Sequence, residues 1–466
     1  MTINFEAEVE QRKDALLADL FSLLKINSER DDEATDPQNP FGPGPRQALE
    51  AFLALAARDG YETCNVDNYA GHFEYGEGTE ILGIFGHLDV VPALAQEGWQ
   101  TNPYEPVIKD GNLYARGASD DKGPTMACYY GLKILKELDV PLSKKIRFIV
   151  GTDEESGWAD MDYYFAHVGL PEPDFGFSPD AEFPIINGEK GNITEKLHFG
   201  KGNDGAKVRL QSFKSGLREN MVPEVATAVV SGVTSLREKL ENFVAAHSEK
   251  ALSFELSENT ISLHGKGAHG AMPEKGINAA TYLCAFLQQF DFTGSAAAFV
   301  RIGGSILLED HEGKKLGIDY VDQLMGNTSM NAGIWSYDEA VGGEIALNFR
   351  FPQGNSPERI KRILEKLEGV SEVVPGRLPQ QPHYVPMGDP LVETLLKVYE
   401  KHTGLKGYET IIGGGTFGRL LKRGVAYGAM FEGEADTMHQ ANEFKPVAAI
   451  LKSAAIYAEA IYELAK

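Results

Sequence analysis

The sequence predicts an α/β fold: a domain with a mixed, mostly parallel sheet flanked by helices, plus an inserted α+β domain. The chain has 466 residues, and a single hydrophobic core stops growing at roughly 250–300 residues, so we expect two domains. Strand-like and helix-like patterns alternate over residues 45–190 and again near the C-terminus, as they do in α/β domains. The segment between them differs, so the predicted domains are 1–186 with 384–466, and 187–383.

The first part of the chain supplies the alternation. A helix is predicted near the N-terminus from apolar residues that share one helical face: Leu16, Leu20, Leu23 and Leu24. Further helices are predicted over 45–60, where Gly60 ends the pattern, and over 124–138, where proline occupies the first turn. Apolar runs predict strands in four segments, several of which end in polar turns: 80–90, 112–123, 144–157 and 174–184.

The inserted segment mixes strand and helix patterns in a different way. It contains Gly-rich strand patterns and amphipathic helical patterns: 260–270 and 344–354 for the strands, 277–290 and 356–367 for the helices. This mixture is typical of an α+β domain. The earlier alternation of strands and helices resumes in three segments near the C-terminus: 408–421, 425–433 and 447–465.

The composition argues against several kinds of partner and location. A net charge of −24, from 44 basic and 68 acidic residues, repels phosphate backbones and anionic lipid, so we expect no nucleic-acid or membrane partner. The N-terminus lacks a basic region followed by an apolar core, so no signal peptide is predicted. Cys64, Cys128 and Cys284 are far apart and predict buried free thiols in a reducing compartment. We therefore expect a cytoplasmic protein.

Polar side chains follow the carboxyl ends of the predicted strands. They are His87 and Asp89, Asp120 and Asp121, Glu154 and Glu155, and Asp180, and a loop before the last helix adds His439. Ligands of open α/β sheets bind at this edge. So many carboxylates in one place would raise each other's pKa steeply, and a pair of divalent cations removes that conflict. Imidazole and carboxylate without thiolate suit Zn²⁺, and also Mn²⁺ or Co²⁺.

Five ordered motifs carry a family resemblance: GHLDVVP (86–92), ARGASDDKGP (115–124), GTDEESG (151–157), SPDAEFP (178–184) and MHQANE (438–443). They resemble those of the co-catalytic zinc metallopeptidases, which include aminoacylase and carnosinase, over nearly the whole chain. Three further stretches, together with the chain length, are most similar to the PepV-type dipeptidases: INGEKGN (186–192), GKGAHGAMPEKG (265–276) and YETIIGGGTFGRL (408–420). The first domain is therefore expected to be a discontinuous di-zinc catalytic domain, and the insert a lid domain.

The resemblance implies two zinc ions per chain. His87, Asp120 and Asp180 would bind one ion. Asp120, Glu155 and His439 would bind the other, so that Asp120 bridges the two. In a co-catalytic site of this kind, the two ions share a water and polarise a carbonyl.

The resemblance also implies roles for the neighbours of these ligands. Asp89 would accept the second ring N–H of His87 and so fix its tautomer. Glu154 would be the general base that takes a proton from water and hands it to the leaving amine. The family further implies a cis peptide bond between Asp120 and Asp121.

Other roles are implied for the lid domain, 187–383, and for the glycine run that follows it. His269 would stabilise the tetrahedral oxyanion, and Asn220 would contact the transition state or the substrate backbone. Arg350 has the planar fork to clamp a C-terminal carboxylate, although its alternating position also suits an ordinary surface arginine. Close backbone approach would come from Gly413, Gly414 and Gly415. The resemblance to the PepV-type dipeptidases further implies that the long insert brings His269 from the same chain over the site, so we expect a monomer whose lid limits substrate length.

The predicted function is hydrolysis of dipeptides with broad Xaa-Xaa specificity, and β-Ala dipeptides are candidate substrates. An N-acyl amino acid deacylase or desuccinylase is the alternative, because the metal-binding motifs determine the type of reaction but not the shape of the substrate pocket. A non-catalytic metal- or substrate-binding relative is expected to lack the base, so Glu154 argues against it. The chain has no G-x-S-x-G motif for a nucleophilic hydrolase and no G-x-G-x-x-G in the first βα turn.

Overall fold

The computed structural model describes residues 3–93, 98–202, 205–376 and 379–466. Its helices are α1 (Phe5–Leu24), α2 (Pro43–Arg58), α3 (Lys122–Glu137), α4 (Ala159–His167), α5 (Leu236–Ala246), α6 (Ala279–Leu287), α7 (Gly294–Arg301), α8 (Pro357–Leu364), α9 (Pro390–Thr403) and α10 (Val447–Ala465). Among the residues described, no helix combines the length and the apolar character that a membrane span requires.

The strands are β1 (Thr63–Val66), β2 (Ala70–Tyr75), β3 (Ile81–His87), β4 (Val107–Lys109), β5 (Asn112–Tyr114), β6 (Lys145–Gly151), β7 (Phe175–Ser178), β8 (Ala181–Glu182), β9 (Gly188–Glu189), β10 (Gly191–Phe199), β11 (Arg209–Ser215), β12 (Val225–Ser231), β13 (Ser253–Ser257), β14 (Thr260–His264), β15 (Val321–Asp322), β16 (Gly326–Asn327), β17 (Ser329–Asp338), β18 (Gly342–Phe351), β19 (Glu372–Pro375), β20 (His383–Tyr384), β21 (Ile411–Ile412), β22 (Gly424–Ala426), β23 (Ala429–Met430) and β24 (Phe444–Pro446).

The chain divides into two compact units. Unit 1 consists of Met1–Gly188, His383–Thr410 and Gly415–Lys466, and unit 2 of Glu189–Pro382 and Ile411–Gly414. Residues 411–414 belong to the segment predicted for the first domain but group with unit 2. The reason is local bonding: Ile412 O accepts the N–H of Lys190 at 2.9 Å, and Gly413 O accepts Arg350 Nη1 at 2.8 Å. The predicted domain bounds themselves stay a prediction.

Unit 1 is built on a six-stranded sheet in the order β1-β2-β6-β3-β7-β22. The pairs β6–β3, β3–β7 and β7–β22 are parallel, whereas β1–β2 and β2–β6 are antiparallel. Every residue of the central strand β3 is buried, which explains its unbroken apolar run. Apolar residues of α1, α2, α3, α9 and α10 share one core with this sheet. The mixed, mostly parallel sheet is the predicted one.

Unit 2 is built on an eight-stranded antiparallel sheet in the order β13-β14-β12-β11-β17-β18-β10-β19. All of its strand pairs are antiparallel, and α5, α6, α7 and α8 contribute apolar residues to the same core. Together, the two units confirm the α/β class with an inserted α+β domain.

Two local expectations were wrong. The segment 408–421 was expected to resume the strand–helix alternation, but it forms only β21 and a 3₁₀ turn at Phe417–Leu420, because its three consecutive glycines have no side chains to pack. Cys128 and Cys284 are buried free thiols as expected, whereas Cys64 is exposed because it lies on the edge strand β1.

Candidate metal centre and active site

The topology of unit 1 brings the predicted polar groups to one edge of the sheet. His87 is the last residue of β3, Glu154 and Glu155 follow the end of β6, and Asp180 follows the end of β7. Since β3, β6 and β7 are parallel neighbours, their carboxyl ends lie side by side. Asp120 immediately precedes the cap of α3.

The carboxylate of Asp120 lies between two imidazoles. Its Oδ1 is 3.0 Å from His87 Nε2, and its Oδ2 is 2.8 Å from His439 Nε2. On the first side, Asp180 Oδ2 is 3.7 Å from His87 Nε2. On the second side, Glu155 Oε1 is 3.0 Å from His439 Nε2. The nitrogen and oxygen atoms therefore form two groups that share Asp120.

The spacing of these atoms fits metal ligands. Two atoms that each lie roughly 2.0–2.2 Å from one tetrahedral ion are about 3.4 Å apart. The four distances around Asp120 run from 2.8 to 3.7 Å. Two triplets of possible ligand atoms also lie within 4.8 Å of one another: His87, Asp120 and Glu155, and His87, Glu154 and Asp180. The second triplet places Glu154 within ligand distance as well, so geometry alone does not separate a base from a ligand.

The clustered carboxyl groups require nearby positive charge if they are to ionise together. Burial, followed by Asp180, raises the pKa of Glu154 well above its usual value. Burial, followed by Asp120, likewise raises the pKa of Glu155 and of Asp180. At Asp120, burial acts in the same direction, but hydrogen bonds from His439 and His87 outweigh it and hold the pKa below its usual range. Divalent cations supply the charge that lets such carboxylates ionise together.

Asp89 connects two strand ends. Its main-chain oxygen is 3.1 Å from His87 Nδ1, and its carboxylate Oδ1 is 3.4 Å from the same nitrogen. The two carboxylate oxygens also accept the main-chain N–H groups of Glu154 and Glu155, at 3.2 and 3.1 Å. Asp89 thus orients the His87 ring and fixes the turn that carries both glutamates. Of these contacts, the resemblance implied only the one between the Asp89 carboxylate and the His87 ring, and the main-chain oxygen of Asp89 lies closer to that ring.

Asp160 fixes the preceding half of the same turn and was not found by the sequence analysis. Its carboxylate accepts the N–H groups of Thr152 and Asp153 at 2.7 and 3.0 Å. A Cβ at Gly151 would lie 2.2 Å from Asp160 Oδ2, so glycine is required there. Asp160 and Asp89 together satisfy four consecutive N–H groups. Asp160 lies on α4, where no motif sets it apart from a solvent-facing acid.

Asp121 supports the end of β3. The Asp120–Asp121 peptide is cis, and Asp121 Oδ2 accepts the main-chain N–H of His87 at 3.1 Å and the hydroxyl of Thr125 at 2.6 Å. Burial raises the pKa of Asp121 to about 7. Asp121 therefore holds the backbone of one candidate ligand, while its neighbour Asp120 presents its side chain to the cluster.

In unit 2, the structure brings the segments of His269 and Asn220 together. The N–H of Gly270 donates to Asn220 O at 2.7 Å, and His269 forms a bridge with Met221. The side chains of His269 and Asn220 are exposed. Asn331, which the sequence analysis did not identify, donates its amide hydrogens to the carbonyls on either side of Asn220, at 2.9 and 2.8 Å.

Arg350 is not an ordinary surface arginine. Only 7% of it is exposed, its Nε donates to Asn348 Oδ1 at 3.1 Å, and its Nη1 donates to Gly413 O at 2.8 Å. Gly413 thus offers its carbonyl to this contact, not its N–H. Gly413 and Gly414 belong to unit 2 and Gly415 to unit 1, and the backbone roles of all three stay predictions.

Known proteins resemble this chain over its whole length. The profile of peptidase family M20/M25/M40 matches residues 83–463. A Beta-Ala-Xaa dipeptidase of Lactobacillus delbrueckii subsp. lactis is 44% identical over 472 residues, which cover 100% of this chain and 99% of that protein. An M20 family metallo-carboxypeptidase of Sulfolobus solfataricus shares the fold with a TM-score of 0.59 at 17% identity, over 96% of this chain and 99% of the other.

Human carnosine dipeptidase 1 also shares the fold. Its TM-score is 0.56 at 16% identity, and the match covers 99% of this chain and 98% of that one. The family profile spans most of the chain, and the dipeptidase of Lactobacillus delbrueckii is related to it from end to end. This chain therefore belongs to peptidase family M20/M25/M40 and is a hydrolase.

Proposed function

We propose that this chain is a metallo-dipeptidase that hydrolyses the peptide bond of Xaa-Xaa dipeptides, β-Ala-Xaa dipeptides included. The observation that carries this proposal is the position of Asp120, with one carboxylate oxygen beside His87 and the other beside His439. The 44% identity to a protein named Beta-Ala-Xaa dipeptidase supports the substrate class.

The proposed cofactor is a pair of zinc ions, for which Mn²⁺ or Co²⁺ can substitute. His87, Asp120 and Asp180 would hold one ion, and Asp120, Glu155 and His439 the other. Bound divalent cations polarise a carbonyl and lower the pKa of water. Asp89 would keep a hydrogen on His87 Nδ1, so that the lone pair of Nε2 is available to an ion that Asp120 also binds.

Glu154 is the proposed general base. Its carboxylate would take a proton from the attacking water and then deliver that proton to the nitrogen of the leaving amine. The turn that carries it is fixed through its backbone by Asp89 and Asp160. A base held in this way loses little entropy on reaching the reactive position.

The residues of unit 2 are proposed to bind the substrate. His269 would donate a hydrogen bond to the tetrahedral oxyanion. Arg350 would form a bidentate contact with the free C-terminal carboxylate, which dipeptides present and longer peptides carry further from the scissile bond. Asn220 and the N–H groups of Gly413–Gly415 would contact the substrate backbone.

A substrate panel tests the proposed activity. The purified chain is loaded with Zn²⁺ and given Xaa-Xaa and β-Ala-Xaa dipeptides beside acetyl- and succinyl-amino acids, before and after chelation. We expect hydrolysis of dipeptides that chelation abolishes and Zn²⁺ restores. Turnover of the acylated amino acids alone would identify the deacylase instead, and turnover of neither set would favour a binding protein.

We also propose that the chain acts as a monomer in the cytoplasm. The likeness to the PepV-type dipeptidases supports this, because in such an arrangement the insert would supply His269 from the same chain. Light scattering of the purified protein tests the oligomeric state. A dimer would contradict this part of the proposal and would allow the partner copy to supply the histidine.

A further inference from the structure

A buried ion pair lies beside the candidate metal centre in unit 1. Arg116 Nη1 is 2.8 Å from Glu443 Oε2, and each residue is only 1% exposed. Both residues fall inside the sequence motifs, in ARGASDDKGP and MHQANE, but neither is among the predicted site residues. Within the described part of the chain, their contacts connect three loops that carry candidate metal ligands.

Glu443 binds the backbone of the Asp120 loop. Its Oε1 accepts the N–H of Ser119 at 2.7 Å and the N–H of Asp120 itself at 3.2 Å. Its Oε2 accepts the N–H of Gly117 at 3.2 Å in addition to the Arg116 guanidinium. One carboxylate therefore receives four donors, three of them from the backbone that leads into the proposed bridging ligand.

Arg116 binds the other two loops. Its Nη2 donates to the carbonyl of Pro92, in the segment that follows His87, at 3.2 Å. Its Nη1 also donates to the carbonyl of Gln440, the residue after His439, at 3.3 Å. The guanidinium lies 5.2 Å from the ring centre of Trp99, which adds a cation–π contact.

The loop between His439 and Glu443 has an irregular backbone. His439 and Asn442 both have φ of +62°, in the left-handed region that residues other than glycine occupy uncommonly, although His and Asn tolerate it better than most. Glu443 is directly followed by β24, which pairs with β5. The loop is thus held at its end by the sheet and near His439 by Arg116.

We infer that Glu443 and Arg116 are positioning residues of the metal centre, which fix the Asp120, His87 and His439 loops at the spacing that two cations require. This inference rests on the proposed function. The pair binds the ligand loops through main-chain groups: the N–H groups of Gly117, Ser119 and Asp120 and the carbonyls of Pro92 and Gln440. Residues that act on a metal only through its ligands typically change metal affinity ten- to hundred-fold when they are replaced.

The variant Glu443→Gln tests the role of the carboxylate. It preserves the shape of the side chain, but one carboxylate oxygen becomes an NH₂ group. In either amide orientation, that group faces N–H donors, since both oxygens of Glu443 accept from the backbone. The effect of Glu443→Gln on the ligand loops must be distinguished from that of a general loss of stability. A matched control that changes stability alone is therefore required.

Glu74→Gln is that control. Glu74 pairs with another buried arginine, Arg147, whose Nε and Nη2 lie 2.8 and 2.7 Å from Glu74 Oε1. Arg147 is 1% exposed, as Arg116 is. This pair joins the neighbouring strands β2 and β6 instead of the ligand loops, so its loss tests stability alone.

The measurement uses full-length protein loaded with Co²⁺, followed by visible absorption and competition with a chelator. We expect Glu443→Gln to raise the dissociation constant of at least one Co²⁺ ten- to hundred-fold and to alter the absorption bands. Glu74→Gln should leave both unchanged while lowering Tm. A Glu443→Gln protein with the spectrum and affinity of the parent would overturn the inference. A parent that binds no Co²⁺ would instead overturn the metal centre of the proposed function, and this inference with it.

Arg116→Lys provides a second, independent variant should Glu443→Gln fail to fold. Lysine keeps a positive charge beside Glu443 but lacks the fork that reaches both Pro92 and Gln440. The expected result is again weaker Co²⁺ binding. Because the positive charge beside Glu443 is kept, Tm should fall less than it would if the charge of Arg116 were removed. Parent-like binding by Arg116→Lys would also overturn the inference.

Discussion

His87 and Asp89 are joined through one ring nitrogen. His87 Nδ1 lies 3.1 Å from the main-chain oxygen of Asp89 and 3.4 Å from its carboxylate. A hydrogen on Nδ1 would leave the lone pair of Nε2 available to a cation, which Asp120 Oδ1, 3.0 Å from Nε2, would share. The same carboxylate holds the N–H groups of Glu154 and Glu155, so one side chain couples a candidate ligand to the candidate base.

Replacing Asp89 with asparagine is expected to damage both functions of this side chain. Asparagine keeps one acceptor oxygen but places an NH₂ group against either the imidazole or the turn of Glu154. We predict a ten- to hundred-fold fall in kcat together with weaker zinc binding. Steady-state kinetics and zinc competition on the same preparation measure the two effects. Parent values for both quantities would show that Asp89 has only a structural role.

Two neighbouring glutamates provide a matched test of base against ligand. Glu154→Gln should retain zinc and lose nearly all activity, since only the proton acceptor is removed. Glu155→Gln should lose zinc from the side of His439, because Glu155 Oε1 is 3.0 Å from that ring. Elemental analysis and dipeptide turnover distinguish the two variants. Loss of zinc from Glu154→Gln would make Glu154 a ligand, as its place in one of the ligand triplets permits.

Arg350→Lys is expected to weaken substrate binding more than chemistry. Lysine cannot form the bidentate contact with a carboxylate, and a hydrogen bond to a charged group contributes about 1.5–3 kcal/mol. We predict that KM for dipeptides rises about ten- to hundred-fold. C-terminally amidated dipeptides lack the carboxylate and should be poorer substrates of the parent, and the substitution should change their turnover little. If Arg350→Lys raised KM equally for free and amidated dipeptides, Arg350 would not be the residue that binds the C-terminal carboxylate.

The stability of unit 1 should depend on pH through His72. Burial, with a further contribution from Arg147, lowers the pKa of His72 to about 4, and its ring packs edge-on against Tyr164 at 5.6 Å. Glu74 opposes this shift. Between pH 6.5 and about 4, the unfolded chain binds more protons at this site than the folded chain, so stability falls as the pH decreases.

His72→Phe should therefore lose less stability on acidification than the parent does. The difference in the free energy of unfolding between pH 7 and pH 4 should be smaller by as much as about 3 kcal/mol. Chemical denaturation at a series of pH values measures it. His167→Gln, which replaces an exposed histidine, is the control and should follow the parent. A His72→Phe curve parallel to that of the parent would contradict the prediction.

Regular patterns in the sequence predicted the fold and the convergence of polar groups. The apolar run of β3 identified a buried strand, and its parallel neighbours bring the residues after β6 and β7 to the same edge. Helix α2 follows from its amphipathic spacing and the glycine that ends it, and α3 from the proline in its first turn. Hydrophobic periodicity indicates such local elements, and the α/β class that they predict brings the carboxyl ends of parallel strands to one edge of the sheet.

The supporting carboxylates could not be predicted in the same way. Asp160 and Glu443 act on main-chain N–H groups of loops, and those of Ser119 and Asp120 lie more than 300 residues from Glu443 along the chain. A single sequence contains no signal for which backbone group a given carboxylate will meet. The same limit applies to Asn331, whose partners in the Asn220 loop depend on the pairing of strands in unit 2.

The glycine run at 413–415 shows a different limit. Its composition indicated close backbone approach, but not which backbone group takes part, and the carbonyl of Gly413 is what receives Arg350. The burial of Arg350 could not be predicted either, because its position in the strand alternation suited both a carboxylate-binding arginine and an ordinary surface arginine. The nearly complete burial of its side chain depends on neighbours that sequence periodicity does not identify.

The most direct test of the central claim counts the zinc ions on the parent protein and on two alanine variants by elemental analysis. Asp120 carries an oxygen toward each histidine, whereas Asp180 lies only on the side of His87. The parent should therefore hold two ions per chain, Asp180→Ala about one, and Asp120→Ala essentially none. A folded Asp120→Ala protein that still holds two zinc ions would contradict the claim that this carboxylate bridges a pair of cations.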